Sequence, residues 1–325
     1  MRWNGVYRRL SLLTGLYIAT GVTMINSGKA YIGIDIGGTN LRGALVNADG
    51  VFVSRFRTES AISHGAAPFL ERLELNIREM LSAACNASLE VTAVGMGIPG
   101  LIDRCGTICS SVNMQPLEKL NLAQILSERI GLKVCCGNDA NLIALAEARA
   151  GAGQGLSSLM VVTIGTGLGS GLILDGRLWN GPGGFAAEFG HLTLEPDGRP
   201  CLCGNRGCLE QYVSASALSR YGTGRTPEEL ASAAQQGDQT ALSAFERLGD
   251  CLGTGLASLL NLLNLEGIVI GGGVSASFDL MAPAIQRTLH KRAFPQIVAG
   301  VKLRKSLLGD DAGLLGGAML AAEMR

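Results

Sequence analysis

One pattern occurs twice along the chain, and it constrains the fold more than any other feature. Residues 30–50, "AYIGIDIGGTNLRGALVNADG", read as a strand, a tight glycine turn, a second strand and a hairpin signal at Asp49-Gly50. Residues 158–181, "SLMVVTIGTGLGSGLILDGRLWNG", repeat the same order about 130 residues later. A strand–turn–strand unit cannot bury its apolar face alone, so each copy implies its own layered α/β domain. The expected architecture is two related α/β domains facing each other across a cleft. The length of 325 residues agrees, being more than one core usually holds.

The segments between the copies complete two such domains. "VFVSRFRTE" makes a third strand, and Phe69, Leu70, Leu73, Ile77 and Leu81 recur at helical spacing over residues 66–86. "VTAVGMGIPGLID" is a strand ending in a Gly-Pro-Gly turn, and "LNLAQILSERIG" is a helix closed by Gly131. "LKVCCGNDANLIALAEARAGAG" reads as buried strand, turn and helix. After the second copy, "EGIVIGGGVS" is a buried strand ending in three glycines, and "GLLGGAMLAAEM" is a terminal helix. Glycine turns that follow strands place ligands at the strand ends of open α/β sheets.

Composition excludes several classes. Hydrophobic residues are 47% and charged residues 17%, which is a globular balance and not a disordered one. Basic and acidic residues number 27 each, so no electrostatic footprint for nucleic acid follows. Arg8 and Arg9 precede "LSLLTGLYIATGVTM", a weak likeness to a signal peptide that is short for a membrane span and broken by Thr14, Gly15, Thr20 and Gly21. The expectation is a non-essential extension over residues 1–30 with Met24 as the natural start, and no membrane partner. Nine cysteines, an odd number with several in apolar runs, point to a reducing, cytoplasmic compartment.

Four stretches carry chemistry. "DIGGTN", Asp35 to Asn40, offers backbone N–H groups at close range to a phosphate, a Thr39 hydroxyl, and an Asp35 carboxylate that could hold a water of Mg2+. "TIGTGLGSG" repeats that logic from Thr163. Either alone is as readily a tight turn; two, each after a strand, argue for phosphate. Neither is followed by Gly-Lys-Ser/Thr, and neither is GxGxxG. In "GNDANLIALAE", Asn138 and Asp139 lie between a strand and a helix, where a side chain caps the helix, accepts a substrate proton, or does both.

The fourth is "EFGH" followed by "CLCGNRGCLE". Cys201, Cys203 and Cys208 with His191 ten residues upstream supply three thiolates and an imidazole, the donor set of a tetrahedral structural Zn2+. Cys201 and Cys203 are not Cys-x-x-Cys, which disfavours a thioredoxin-like pair. His64 and His290 have no partners in sequence.

Together these motifs resemble the ROK family of bacterial sugar kinases and related repressors, from about Tyr31 to the C-terminus. Within it the chain is most similar to the glucokinases. The resemblance implies an actin/hexokinase-like (ribonuclease H-like) ATPase fold, with residues 31–138 plus 307–325 as the smaller domain and 139–306 as the larger. It implies ATP-dependent phosphorylation of a hexose at its 6-hydroxyl, with glucose first. ATP phosphates would lie on Asp35, Gly37, Gly38, Thr39 and Asn40, and on Thr163, Gly165, Thr166 and Gly167. Gly271, Gly272, Gly273 and the 313–317 region would border adenosine. Asp139 would be the general base and Asn138 would position the sugar. Glu188, His191 and Glu210 would bind sugar hydroxyls, with His191, Cys201, Cys203 and Cys208 holding zinc. Asn113 of "SVNMQPL" is a further implied sugar contact. A homodimer or homotetramer is implied in the same way.

The residues support a sugar independently. A ring of hydroxyls needs carboxylates and amides, and phosphoryl transfer needs positioning, Mg2+ and a base. Kinases for N-acetylmannosamine, N-acetylglucosamine, fructose or allose share these motifs, and the motifs leave open a phosphoryl donor other than ATP, such as polyphosphate. A sugar-responsive repressor of the family carries an N-terminal helix-turn-helix, for which residues 1–30 show no pattern.

Overall fold

A computed structural model describes residues 28–111 and 114–324. The expected extension, apart from residues 28–30, and the Asn113 contact lie outside the described residues. In chain order the elements are Lys29–Ile36 (β1), Asn40–Asn47 (β2), Phe52–Glu59 (β3), Ala66–Asn86 (α1), Glu90–Ile98 (β4), Leu101–Ile102 (β5), Ile108–Ser110 (β6), Leu122–Ile130 (α2), Lys133–Asn138 (β7) and Asp139–Ala150 (α3). Then follow Leu159–Ile164 (β8), Leu168–Leu174 (β9), Arg177–Leu178 (β10), Ala215–Tyr221 (α4), Pro227–Gln235 (α5), Gln239–Leu263 (α6), Gly267–Gly271 (β11), Phe278–Arg292 (α7), Pro295–Val298 (α8), Lys302–Lys305 (β12) and Ala312–Glu323 (α9). Among the described residues, no helix is long and apolar enough to cross a membrane.

The described residues form two compact units: those within 28–151, 182–185 and 310–324, and those within 152–181 and 186–309. The first holds a five-stranded sheet in the order β3-β2-β1-β4-β7, the second one in the order β10-β9-β8-β11-β12. In the first, β1 pairs antiparallel with β2 and parallel with β4, and β4 runs parallel to β7. In the second, β8 pairs antiparallel with β9 and parallel with β11, which runs parallel to β12. The repetition legible in sequence is thus a repeated sheet, in which one antiparallel hairpin opens each unit and later strands join it by crossovers.

The unit boundary falls at Gly151, not between Asn138 and Asp139 as expected. The physical reason is α3, which packs along α9 and leans on β4 and β7. Its buried Leu142, Leu145 and Ala146 have their apolar partners in the first unit. The helix that follows the "GND" turn therefore belongs with the strand that precedes it.

In the first unit, β1 buries side chains on both faces, which makes it the centre of the core with Phe69, Leu73, Ile77, Val94 and Met96. Helix α9 lies directly on β1 and β4, and glycine permits that approach. A Cβ at Gly33 would run into the Leu314 carbonyl, and one at Gly95 into that of Gly317. In the second unit, α6 brings Phe245, Leu248, Leu252 and Leu256 against Val162, Ile268, Met281 and Ile285. No disulfide joins the nine cysteines.

Candidate active site and metal centre

In the first unit, the chemistry collects at the carboxyl ends of parallel strands. Register pairs Asp35 with Gly97, and Gly97 with Gly137. Two inter-strand spacings of about 4.8 Å put the "DIGGT" and "GND" rows about 10 Å apart on one sheet edge. The 37–40 turn is closed by the Gly37 N–H donating to the Asn40 carbonyl at 2.8 Å, leaving Gly38, Thr39 and Asn40 exposed. Ser60, buried, braces the turn: its hydroxyl donates to Gly38 O at 2.7 Å, and its N–H to Thr39 O at 2.9 Å.

Asp35 has a protein partner that the motif reading did not anticipate. The Arg42 guanidinium donates to its Oδ2 through Nε at 3.2 Å and through a shorter second bond. The two residues are cross-strand partners, equally far from the β1–β2 turn. Arg57 likewise donates to the Asn40 side-chain oxygen at 3.4 Å. Hairpin register was the signal for the first pair; Asn40 stands opposite Glu59, so Arg57 reaches it diagonally between β2 and β3.

At the "GND" turn, Asn138 stands just outside α3 and Asp139 just inside it. Asn138 is the N-cap of α3, its Oδ1 accepting the Asn141 N–H at 3.1 Å while its Nδ2 donates to the Gly100 carbonyl at 3.1 Å. Asp139 is the first residue inside the helix, its Oδ1 accepting the Ala140 N–H at 2.8 Å. It is half-buried, and its Cα and Cβ pack where Gly97 has no side chain.

In the second unit, the "TIGTG" and "GGGVS" runs end adjacent parallel strands, with Gly271 paired to Thr163. Gly272 takes φ 79, and a Cβ on it would press into the Ile164 backbone. Thr166, Gly272 and Gly273 are exposed. The 313–317 glycines have a packing role of their own. They are buried in α9, with Gly313 against the Asp35 carboxyl, Gly316 against Leu142 and Gly317 against Gly95.

The four predicted metal ligands come together. His191, Cys201, Cys203 and Cys208 place one ligand atom each within 4.8 Å of all the others. Cys201 Sγ lies 3.7 Å from His191 Nδ1, and Cys203 Sγ lies 3.6 Å from Cys208 Sγ. A tetrahedron with metal–sulfur bonds of about 2.3 Å has edges of about 3.8 Å, so these separations fit a four-coordinate cation. Charge argues the same way. Burial pushes the Cys203 thiol up, but the Asn205 amide and the Cys201 and Cys208 thiols outweigh it and bring the group below its ordinary value. Burial and the same two neighbouring thiols push Cys208 up to about 12. Three thiolates this close need a cation to coexist.

The ligand loop is stapled by its own backbone. Gly207 N–H donates to Arg199 O at 2.7 Å, Cys201 N–H to Asn205 O at 2.9 Å, and Leu209 N–H to Leu192 O at 2.9 Å. The four ligands flank two short 3₁₀ turns, Phe189–His191 and Leu209–Gln211. Each turn brings a glutamate with its ligand: Glu188 precedes the first, and Glu210 sits in the second. His191 shows Nδ1 to the thiols and Nε2 to Glu188, 3.9 Å from Oε2. Partial burial raises the Glu188 carboxyl above its ordinary value, His191 opposing and Glu210 adding to the shift. Glu210 Oε2 accepts the Leu168 N–H at 2.9 Å, which ties it to the second glycine turn.

Comparison with known proteins agrees with this layout. The model of the ROK family matches residues 31–324. A glucokinase of Halalkalibacterium halodurans is 33% identical over 91% of this chain and 96% of its own. A ROK family glucokinase from Streptomyces griseus, solved in complex with glucose and AMPPNP, superposes with a TM-score of 0.76 at 33% identity, covering 90% of this chain and 99% of that one. A ROK family transcriptional regulator, a homolog of the E. coli MLC protein, superposes with a TM-score of 0.83 at 28% identity, over 90% of this chain and 78% of that one.

Proposed function

The chain belongs to the ROK family, and on that premise we propose that it is a sugar kinase, moving the terminal phosphoryl group of ATP to the 6-hydroxyl of a hexose, with glucose preferred. The observation that carries this reading is the pairing of Glu188 and Glu210 on two turns that one metal centre joins through His191 and Cys208. Two carboxylates and an imidazole Nε2 suit the hydroxyls of a sugar ring. Similarity to glucokinases, one of them bound to glucose and AMPPNP, supports the substrate and the donor.

Each residue then has a task. His191, Cys201, Cys203 and Cys208 would hold Zn2+; four protein ligands would give it a structural role, ordering the turns. Glu188, His191 Nε2 and Glu210 orient the sugar, and Asn138 lends its remaining amide hydrogen. Asp139 accepts the 6-hydroxyl proton as that oxygen bonds to the γ-phosphorus and the bond from phosphorus to the ADP oxygen breaks. The 37–40 and 165–167 turns offer N–H groups to the phosphates, and Gly271 to Gly273 border the adenosine. Mg2+, when bound, neutralises phosphate charge. Asp35, whose Oδ2 accepts from Arg42, would be the residue that helps to hold that ion.

A coupled ADP-release assay over a panel of hexoses tests the reading. Glucose is expected to give the highest kcat/KM. A clear preference for N-acetylmannosamine, N-acetylglucosamine, fructose or allose would replace the substrate. Similarity to a transcriptional regulator supports a second reading, in which the same sugar site serves sensing. Specific DNA retention in a mobility-shift assay, with no ADP released from any sugar, would favour it.

A further inference from the structure

Glu188 sits on an unusual piece of backbone. Ala187, directly before it, takes φ 70, a left-handed conformation that costs a non-glycine residue about 1 kcal/mol or more. Glu188 itself has φ −75 and ψ 54, the geometry of an inverse γ-turn. The turn is closed by the Phe189 N–H donating to the Ala187 carbonyl at 2.8 Å. Nothing in the local sequence "GFAAEFGH" favours this path, because no glycine stands at 187.

The hold comes from another strand. Ser170, on β9 and only 6% exposed, donates its hydroxyl to the Ala187 carbonyl in a short bond. The same oxygen accepts the Phe189 N–H at 3.3 Å. One buried hydroxyl therefore grips both ends of the γ-turn whose centre is Glu188. Two residues earlier on β9, the Leu168 N–H holds Glu210. A single strand, continuing the second glycine turn, thus aims both glutamates.

We propose that Ser170 is a positioning residue for the hexose: it fixes the left-handed Ala187 and so the direction of Glu188. The proposal rests on Glu188 as a sugar ligand, and its own content is that the Ser170 hydroxyl sets sugar affinity without touching the sugar. Removing the hydroxyl frees Ala187 to relax toward ordinary φ and swings the Glu188 carboxylate away. Glycine at 187 accepts positive φ without a hold, so it compensates for the missing hydroxyl.

The test is steady-state kinetics on the full-length zinc-bound protein, with glucose and ATP varied separately. Ser170→Ala is expected to raise the KM for glucose about tenfold, the scale of a lost buried hydrogen bond. Turnover should stay within about threefold, and the KM for ATP within about twofold. The double variant Ser170→Ala, Ala187→Gly should return the glucose KM to within about threefold of the starting protein. An unchanged glucose KM in Ser170→Ala would overturn the proposal, as would a raised KM that glycine at 187 does not restore. If Ser170→Ala yields no soluble protein, Ser170→Thr against Ser170→Val makes the same comparison at constant volume. Threonine is then expected to keep the lower KM, and equal values would overturn the proposal. Glu188→Gln separates the two layers. If it leaves the glucose KM unchanged, the assignment of Glu188 itself fails. If it raises the KM while Ser170→Ala is silent, only the role of Ser170 fails.

Discussion

Asp139 opens α3 without having to cap it. Its neighbour Asn138 takes over the capping of α3, which relieves Asp139 of that task. Asp139→Asn should therefore fold normally and keep its zinc. Its kcat is expected to fall by about 10²–10⁴, the usual worth of a positioned general base, with the glucose KM within a few-fold. Near-normal turnover in a rapid-quench or coupled assay would remove the base assignment. Local sequence alone left the cap open between Asn138 and Asp139, because both residue types favour helix starts. Only the backbone shows which of them stands outside the helix. Asp35 teaches a related lesson. Its Arg42 partner was legible in principle, since residues equally far from a tight hairpin turn face each other, but only once the turn is placed at 37–40.

Strands and helices were legible wherever hydrophobic period and a terminating signal coincided, as in α1 and in α2, which Gly131 ends at φ 70. Element ends also carry their own energetics, and α6 is the clearest case. Its N-cap Asp238 accepts the Ala241 N–H at 2.8 Å and pairs with both terminal nitrogens of Arg225. The Arg225 hydrogen bond, with help from the Ala241 amide, holds the Asp238 carboxyl below its ordinary value. A carboxyl lowered on folding stabilises the native state at pH above its unfolded value of about 3.9, and that contribution is lost as pH falls through the folded value. Asparagine caps a helix about as well as aspartate but carries no charge. Asp238→Asn should thus lower the melting temperature at neutral pH, and the gap should close as the solution is acidified below the ordinary aspartate range. Melting curves from pH 7 to pH 3 check this; a gap that stays constant would show that Arg225 contributes nothing through charge.

For the whole molecule, the zinc centre and the sugar are expected to act as one. Glucose at about a hundredfold its Kd adds about 2.7 kcal/mol of stability, a melting shift of about 5 °C. Cys203→Ser, or treatment with a chelator, should release zinc and abolish that shift together, because Glu188 and Glu210 are carried on the turns that the metal joins. A glucose-dependent shift that survives zinc loss, measured alongside metal content, would separate the two. The sequence by itself determined that the chain repeats a strand–turn–strand unit, that glycine turns end its strands, and that three cysteines and a histidine have the spacing and donor types to hold one metal ion. Those features are local: they depend on spacing, glycine and ligand type within a few residues. Only the tertiary structure decided that α3 belongs with the first unit, that the 313–317 glycines pack α9 onto β1 and β4, and that Ser170 holds the turn beneath Glu188. Each of those joins residues far apart in the chain, and what joins them is the close approach of one backbone to another, which no spacing within a segment records.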